Sequence, residues 1–199
     1  MKPTNIYFAG VGGQGIGLLT SVLTRACLLA GYRVRGCDTH GLAQRGGTVV
    51  SHLRVGEDLF TPRVPVGRAD VVIGLERLEA LRAAASMLAE GGTVVYYDAV
   101  YQPIHVRLGE ARYPDAGDLA GVAADRGGRL ERVHLEDLED PRMQNVALLG
   151  RVAALGLIEG VDEALVERAL REEVPPRVLD ANLEVFRRVA GSPPLRAGR

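Results

Sequence analysis

The chain has 199 residues, 47% of them hydrophobic and 25% charged, which suits one globular domain whose core needs neither disulfides nor metal. Its net charge is −1 and only 5% of residues are aromatic, so it has neither the basic footprint nor the stacking platforms expected of a nucleic-acid binder. Two cysteines, Cys27 and Cys37, are too few for a four-thiolate iron–sulfur cluster or a cysteine-rich zinc site.

Lys2, Pro3 and Thr4 lead straight into a short apolar run, without the pattern of a signal peptide. Residues 5–10, NIYFAG, predict a buried parallel strand that stops at glycine. Residues 13–30 place Ile16, Leu19, Leu23, Cys27 and Ala30 three or four apart, which predicts a helix with one buried face, ended by Gly31. Thr20, Ser21, Thr24 and Arg25 make this stretch too polar to span a bilayer, so a cytoplasmic protein is expected. Residues 32–37, YRVRGC, alternate and predict a second strand, giving a β-α-β unit.

Residues 48–55, TVVSHLRV, predict a strand with one more polar face. Gly56 and Glu57 make a turn, and Phe60 to Val66, with two prolines, is extended. Ala69 to Leu75 predicts another buried strand, Glu76 to Ala89 a helix closed by Gly91 and Gly92, and Thr93 to Tyr97 the next strand. Ile104 to Leu108 reads as a further strand, Asp115 to Arg126 as a helix, and Val133 as the start of a short extended piece. The last third is helical. Asp140 caps a helix that has Pro141 at its first position and runs to about Ala154. Asp162 caps a second, which Pro175 and Pro176 cannot continue, and a third runs from about Arg177 to Ala190. The expectation is a three-layer α/β/α Rossmann-like domain over residues 1–191, with a mostly parallel, mixed sheet, a helical C-terminal third, and a disordered tail at 192–199.

Gly10, Gly12 and Gly15 match the glycine fingerprint of dinucleotide-binding turns, and Asp38 stands where a ribose-binding carboxylate would lie. Two points weigh against a simple NAD site. A helix N-terminus contributes roughly 0.3–2 kcal/mol to holding an anion, whereas micromolar affinity needs about 8 kcal/mol. The residues after Asp38 also do not enter a second crossover helix. They run through Thr39, His40 and Gly41, then Gln44, Arg45, Gly46 and Gly47, into another strand. Three readings of the glycines stay open: helix packing, anion or nucleotide contact, and a loop facing a partner. Arg45 has the fork that grips phosphate or carboxylate, beside glycines that let another backbone approach. Gln14 can donate an amide hydrogen bond at the first turn. His52, His105 and His134 are isolated, so no metal set emerges. Cys37 with His40 could in principle pair as nucleophile and base; two reduced structural thiols are the simpler reading. Asn145, followed by Val146, Ala147, Leu148 and Leu149, reads as a buried polar residue with a packing role.

The segments GVGGQGIGLLT, THGLAQRGGTVVSHLRVG and ADVVIGLERLEALR resemble the small subunit, or gamma domain, of 2-oxoacid:ferredoxin oxidoreductases. The resemblance continues into NVALLG at 145–150 and ANLEVFRR at 181–188, and so covers most of the chain. The QRGG form preceded by Thr-His-Gly is similar to the indolepyruvate type; pyruvate and 2-oxoglutarate types more usually carry Pro-Glu-x-Arg-Gly-Gly. The resemblance implies a subunit, inactive alone, of an enzyme that oxidatively decarboxylates an aryl 2-oxoacid to its acyl-CoA and reduces ferredoxin. It implies thiamine diphosphate, magnesium and iron–sulfur clusters in a partner alpha subunit, and coenzyme A as a shared ligand. Gly12, Gly13 and Gln14 would then line the first turn, and Thr39, His40, Gln44, Arg45, Gly46 and Gly47 the second loop, at the seam with that subunit. No catalytic residue and no metal ligand is expected here. The assembly expected is a hetero-oligomer, with a homodimer as the form of the isolated chain. The competing reading is a free-standing NAD(P)- or nucleotide-binding protein.

Overall fold

The computed structural model describes residues 3–39, 47–102, 104–110 and 112–193. Among the described residues six strands form one mixed sheet in the order β2-β3-β1-β4-β5-β6. They are β1 (Thr4–Val11), β2 (Val34–Thr39), β3 (Thr48–Val55), β4 (Ala69–Gly74), β5 (Leu88–Tyr97) and β6 (Arg129–Val133). β3 runs against both of its neighbours, β1 and β2, while β1, β4, β5 and β6 are parallel.

Alternation along the strands splits the core between the two faces. Ile6, Phe8, Leu53, Ile73 and Val95 face α1 (Ile16–Leu29) and the C-terminal helices α5 (Gln144–Ala154), α6 (Glu163–Glu173) and α7 (Pro176–Ala190). Ala9, Val72, Val94 and Tyr96 face the other way, against α2 (Arg77–Met87) and α4 (Ala116–Asp125). The expected three-layer α/β/α arrangement, with its mixed sheet and helical last third, is therefore present.

Caps fall where the sequence puts them. Asp115 and Asp118 form a reciprocal capping box on α4, and the Asp162 side chain accepts from the Leu165 N–H of α6. Asp140 caps too, but the element it opens is a 3-10 turn, Pro141–Met143, and α5 starts only after that turn.

Three expectations are corrected. Residues Ile104–Arg107 are a short helix, α3, not a strand. Alternation over only five residues, Ile104 to Leu108, is a short signal, and the sheet edge beside β5 is taken by β6. That strand ends at Val133 instead of starting there: Thr93 to Tyr97 pair with Arg129 to Val133. Finally, α2 stops at Met87, and Leu88 already pairs with Ala69, so β5 begins before the two glycines.

A candidate functional site at the carboxyl ends of the strands

The chain leaves β1 at Val11 and makes a tight turn into α1. Gly13 and Gly15 adopt φ of 104° and 80°, a region closed to most side chains, so glycine is required at both. At Gly15 an added methyl would also sit 2.6 Å from the Asn145 Nδ2. That amide donates to the Gly15 carbonyl at 3.2 Å, tying α5 to the turn, and Asn145 is buried as expected.

The Gly12 N–H donates to the Gly47 carbonyl at 2.9 Å. The first turn and the end of the second glycine loop are thus brought together. Gln14 is buried and points inward, with its side-chain amide bonded to protein backbone. The Thr39 backbone ends β2 opposite Val50. His40, Gln44, Arg45 and Gly46 lie outside the described residues, as does most of the expected tail, 194–199.

Asp38 is exposed on β2, and β3 lies between β2 and β1. At roughly 4.8 Å per strand step, this sets Asp38 about twice as far from the glycine turn as on an adjacent strand. The β-α-β unit has the spacing of a dinucleotide fold without its strand adjacency.

A cleft of about 560 Å³ opens beyond the carboxyl ends of β1 and β5. Ligands of open α/β sheets bind at such an edge. Its lining includes Val11 and Gly47, Glu79 and Arg82 of α2, and Tyr101 and Arg107 from the chain after β5. Glu79 is buried and accepts from Arg82 at 2.7 Å, while the Arg82 side chain remains more than half exposed. Two guanidinium groups with apolar Val100 and Tyr101 make a surface for an anion that also carries apolar bulk.

Behind this lining the chain is tightly fastened. Glu76 is fully buried and caps α2, its carboxylate accepting from the Glu79 N–H at 2.9 Å. Burial pushes its carboxyl above the usual range, against the pull of the backbone N–H groups around it. Asp98, at the end of β5, is clamped by Arg77 and Arg132, each at 2.7 Å. None of these residues was singled out from the sequence as part of a site. For Glu76 and Arg77 the only local signal is position, at the start of a helix that comes after a buried strand; Asp98 simply follows the buried strand β5.

The other titratable candidates are structural. His52 accepts from the Val64 N–H through Nδ1 and meets the Tyr7 ring edge-on. Burial, then the nearby Arg63, lowers its pKa. Cys27 lies in the core, where burial raises its thiol to about 12. Cys37 is half-buried and its thiol is also raised, chiefly by burial. Its suggested base, His40, is outside the described residues. Among the described residues no group of three or more His, Cys, Asp or Glu is placed to hold a metal ion, and no helix is long and apolar enough to cross a membrane.

The family model for pyruvate ferredoxin/flavodoxin oxidoreductase matches residues 5–191. The chain belongs to that family. It is 36% identical to indolepyruvate oxidoreductase subunit IorB of Thermococcus kodakarensis and 35% identical to that of Pyrococcus horikoshii, in each case over 94% of both chains. The common gamma subunit of the pyruvate and ketoisovalerate oxidoreductases of Pyrococcus abyssi is 30% identical over 80% of this chain and 83% of its own. Among solved structures, pyruvate oxidoreductase subunit PORC of Thermotoga maritima matches with a TM-score of 0.66 at 21% identity, over 96% of both chains. The 2-oxoglutarate:ferredoxin oxidoreductase of Magnetococcus marinus, solved with 2-oxoglutarate, coenzyme A and succinyl-CoA bound, matches with a TM-score of 0.70 at 21% identity. That match covers 96% of this chain but 31% of the larger one, so the fold recurs there as one part of a longer polypeptide. The protein is therefore a small, IorB-like subunit of a 2-oxoacid:ferredoxin oxidoreductase, an enzyme of several subunits.

Proposed function

We propose that this subunit serves an indolepyruvate-type enzyme, which oxidatively decarboxylates an aryl 2-oxoacid to its acyl-CoA and passes the electrons to ferredoxin in the cytoplasm. The observation that carries the reading is identity of 34–36% with indolepyruvate oxidoreductase subunits over nearly the whole of both chains. Thiamine diphosphate, magnesium and iron–sulfur chemistry belong on this reading to the catalytic alpha subunit. On this reading the first glycine turn, at Gly12 and Gly13, and the second loop, Thr39 to Gly47, face that subunit, while the Gln14 side chain turns inward to backbone. The cleft beside them takes the anionic end of coenzyme A. In support, Arg107 and the half-exposed Arg82, which also pairs with Glu79, line the cleft together with Gly47.

The test is reconstitution with the catalytic subunit under anaerobic conditions. The expected order of kcat/KM is indolepyruvate over pyruvate and 2-oxoglutarate, with acyl-CoA formation. Equal use of all three acids would end the aryl assignment. In the same complex, Arg45→Ala should weaken either coenzyme A use or subunit affinity; no change in both would remove the second loop from the seam. The competing reading, a free NAD(P)-binding protein, predicts that wild-type chain binds NAD and that Asp38→Ala weakens the binding sharply. The strand inserted between Asp38 and the glycine turn counts against it.

A further inference from the structure

Gln14 stands where a side chain reaching toward a ligand was expected, yet both ends of its amide serve the protein itself. Its Oε1 accepts from the Val11 N–H at 2.6 Å, and its Nε2 donates to the Leu75 carbonyl at 2.9 Å. The backbone N–H of Gln14 donates back to the Val11 carbonyl at 3.2 Å, and the Leu75 N–H donates to the Ala9 carbonyl at 2.9 Å. The last ladder pair between β1 and β4 is Ala9 with Gly74. Gln14 therefore carries the joint between these strands past the end of the sheet. The Gly10 backbone leaves room for the amide, since a methyl there would lie 3.0 Å from Oε1.

The connections continue on both sides. Toward β3, the Gly12 N–H holds the Gly47 carbonyl at 2.9 Å. Toward β5, Leu75 leads into Glu76, whose carboxylate faces the Tyr101 N–H at 3.4 Å, and the Arg77 N–H donates to the Ala99 carbonyl at 3.1 Å. A line of hydrogen bonds and short covalent links thus runs along the carboxyl edge of the sheet from Gly47 to Tyr101. Val11 and Gly47 at one end of this line, and Tyr101 at the other, all line the cleft.

We propose that Gln14 is a positioning residue that sets Val11 and Gly47 relative to Tyr101 in the lining of this cleft. Its functional consequence rests on the reading above, in which the cleft serves the oxidoreductase complex. The chemistry requires an amide. One planar group must accept from one backbone N–H and donate to one carbonyl. A carboxylate would set lone pairs against the Leu75 oxygen, and an alkyl group would orphan both backbone partners.

The test begins with amide hydrogen exchange on the isolated chain, each variant read against wild type at the same pH. In Gln14→Leu, the amides of Val11, Arg77 and Tyr101 exchange faster by roughly tenfold at every pH, as loss of about 1.4 kcal/mol of local stability requires. In Gln14→Glu the same three quicken at about pH 8 and return toward wild type near pH 5, because burial against the Leu75 carbonyl raises the introduced carboxyl's pKa and its protonated form again donates to Leu75. Acceleration at Val11 alone would make Gln14 a local peg and overturn the proposal, as would a Gln14→Glu effect that ignores pH. If the leucine variant does not fold, the pH-dependent exchange of the same three amides in Gln14→Glu decides the matter alone. In the reconstituted complex, the KM for coenzyme A in Gln14→Glu rises at about pH 8 by more than kcat falls. A wild-type complex that makes no use of coenzyme A would refute the proposed function while leaving the exchange result to stand or fall alone.

Discussion

Removing the Asp98 carboxylate should cost the protein more than removing any exposed charge. One oxygen takes the Nε and Nη2 of Arg77 at 2.7 and 2.6 Å, and the other takes Arg132 Nε at 2.7 Å. The Asp98 side chain is 2% exposed, Arg77 19% and Arg132 46%. Asp98→Ala leaves Arg77 as an uncompensated, largely buried cation, a loss of about 3–5 kcal/mol in comparable pairs. Arg132 can turn into water, so its half adds at most about 1 kcal/mol. Arg77 also keeps the Pro114 carbonyl at 3.3 Å and the Tyr113 ring at 6.0 Å, which softens the loss. The net expectation is about 3–4 kcal/mol, or roughly 6–16 °C in Tm for a chain of this size. Urea unfolding gives the number directly, as a lower midpoint at unchanged slope. Arg132→Ala is the control and should cost no more than about 1 kcal/mol. If it costs as much as Asp98→Ala, or if Asp98→Ala costs less than about 1 kcal/mol, the burial argument behind both figures is wrong.

Gly150→Ala tests the crossing of α5 and α7, because the new methyl would lie 2.7 Å from the Phe186 carbonyl oxygen and 3.2 Å from the Ala190 nitrogen. Helix propensity alone would favour alanine by about 1 kcal/mol, yet backbone atoms cannot step aside, and a net loss of roughly 1–3 kcal/mol in urea unfolding is expected. Arg187, then Arg171, hold the Glu167 carboxyl down to about 2. A depressed carboxyl stabilises above its unfolded value and loses that contribution as pH falls from about 4.5 through about 2. The stability gap between wild type and Glu167→Gln, measured by urea midpoints, should therefore be present at neutral pH and close in that window. A thiol reagent at mildly alkaline pH should label Cys37 in the folded chain and reach Cys27 only on unfolding, since burial raises Cys27 to about 12; mass spectrometry showing equal labelling would refute its placement in the core.

Periodicity and capping, which act over a few residues, made much of this chain legible. The β3 strand occupies residues 48–55 as its alternation predicts, and Asp115, Asp140 and Asp162 each cap the element they precede. The glycine turn was visible because a positive φ demands a residue without Cβ. Local pattern could not decide which strands become neighbours. β3 enters between β2 and β1, and that single pairing choice turns an apparent dinucleotide fingerprint into a different edge. Nor could pattern show that Gln14 points inward, that Glu76 and Asp98 are buried anchors, or that Arg82 and Arg107 line one cleft. Those facts depend on partners dozens of residues away, Gln14 with Leu75 and Asp98 with Arg132. The physical reason is reach: caps and alternation are set by adjacent residues, whereas strand order and the walls of a site exist only once distant segments have packed and excluded water between them.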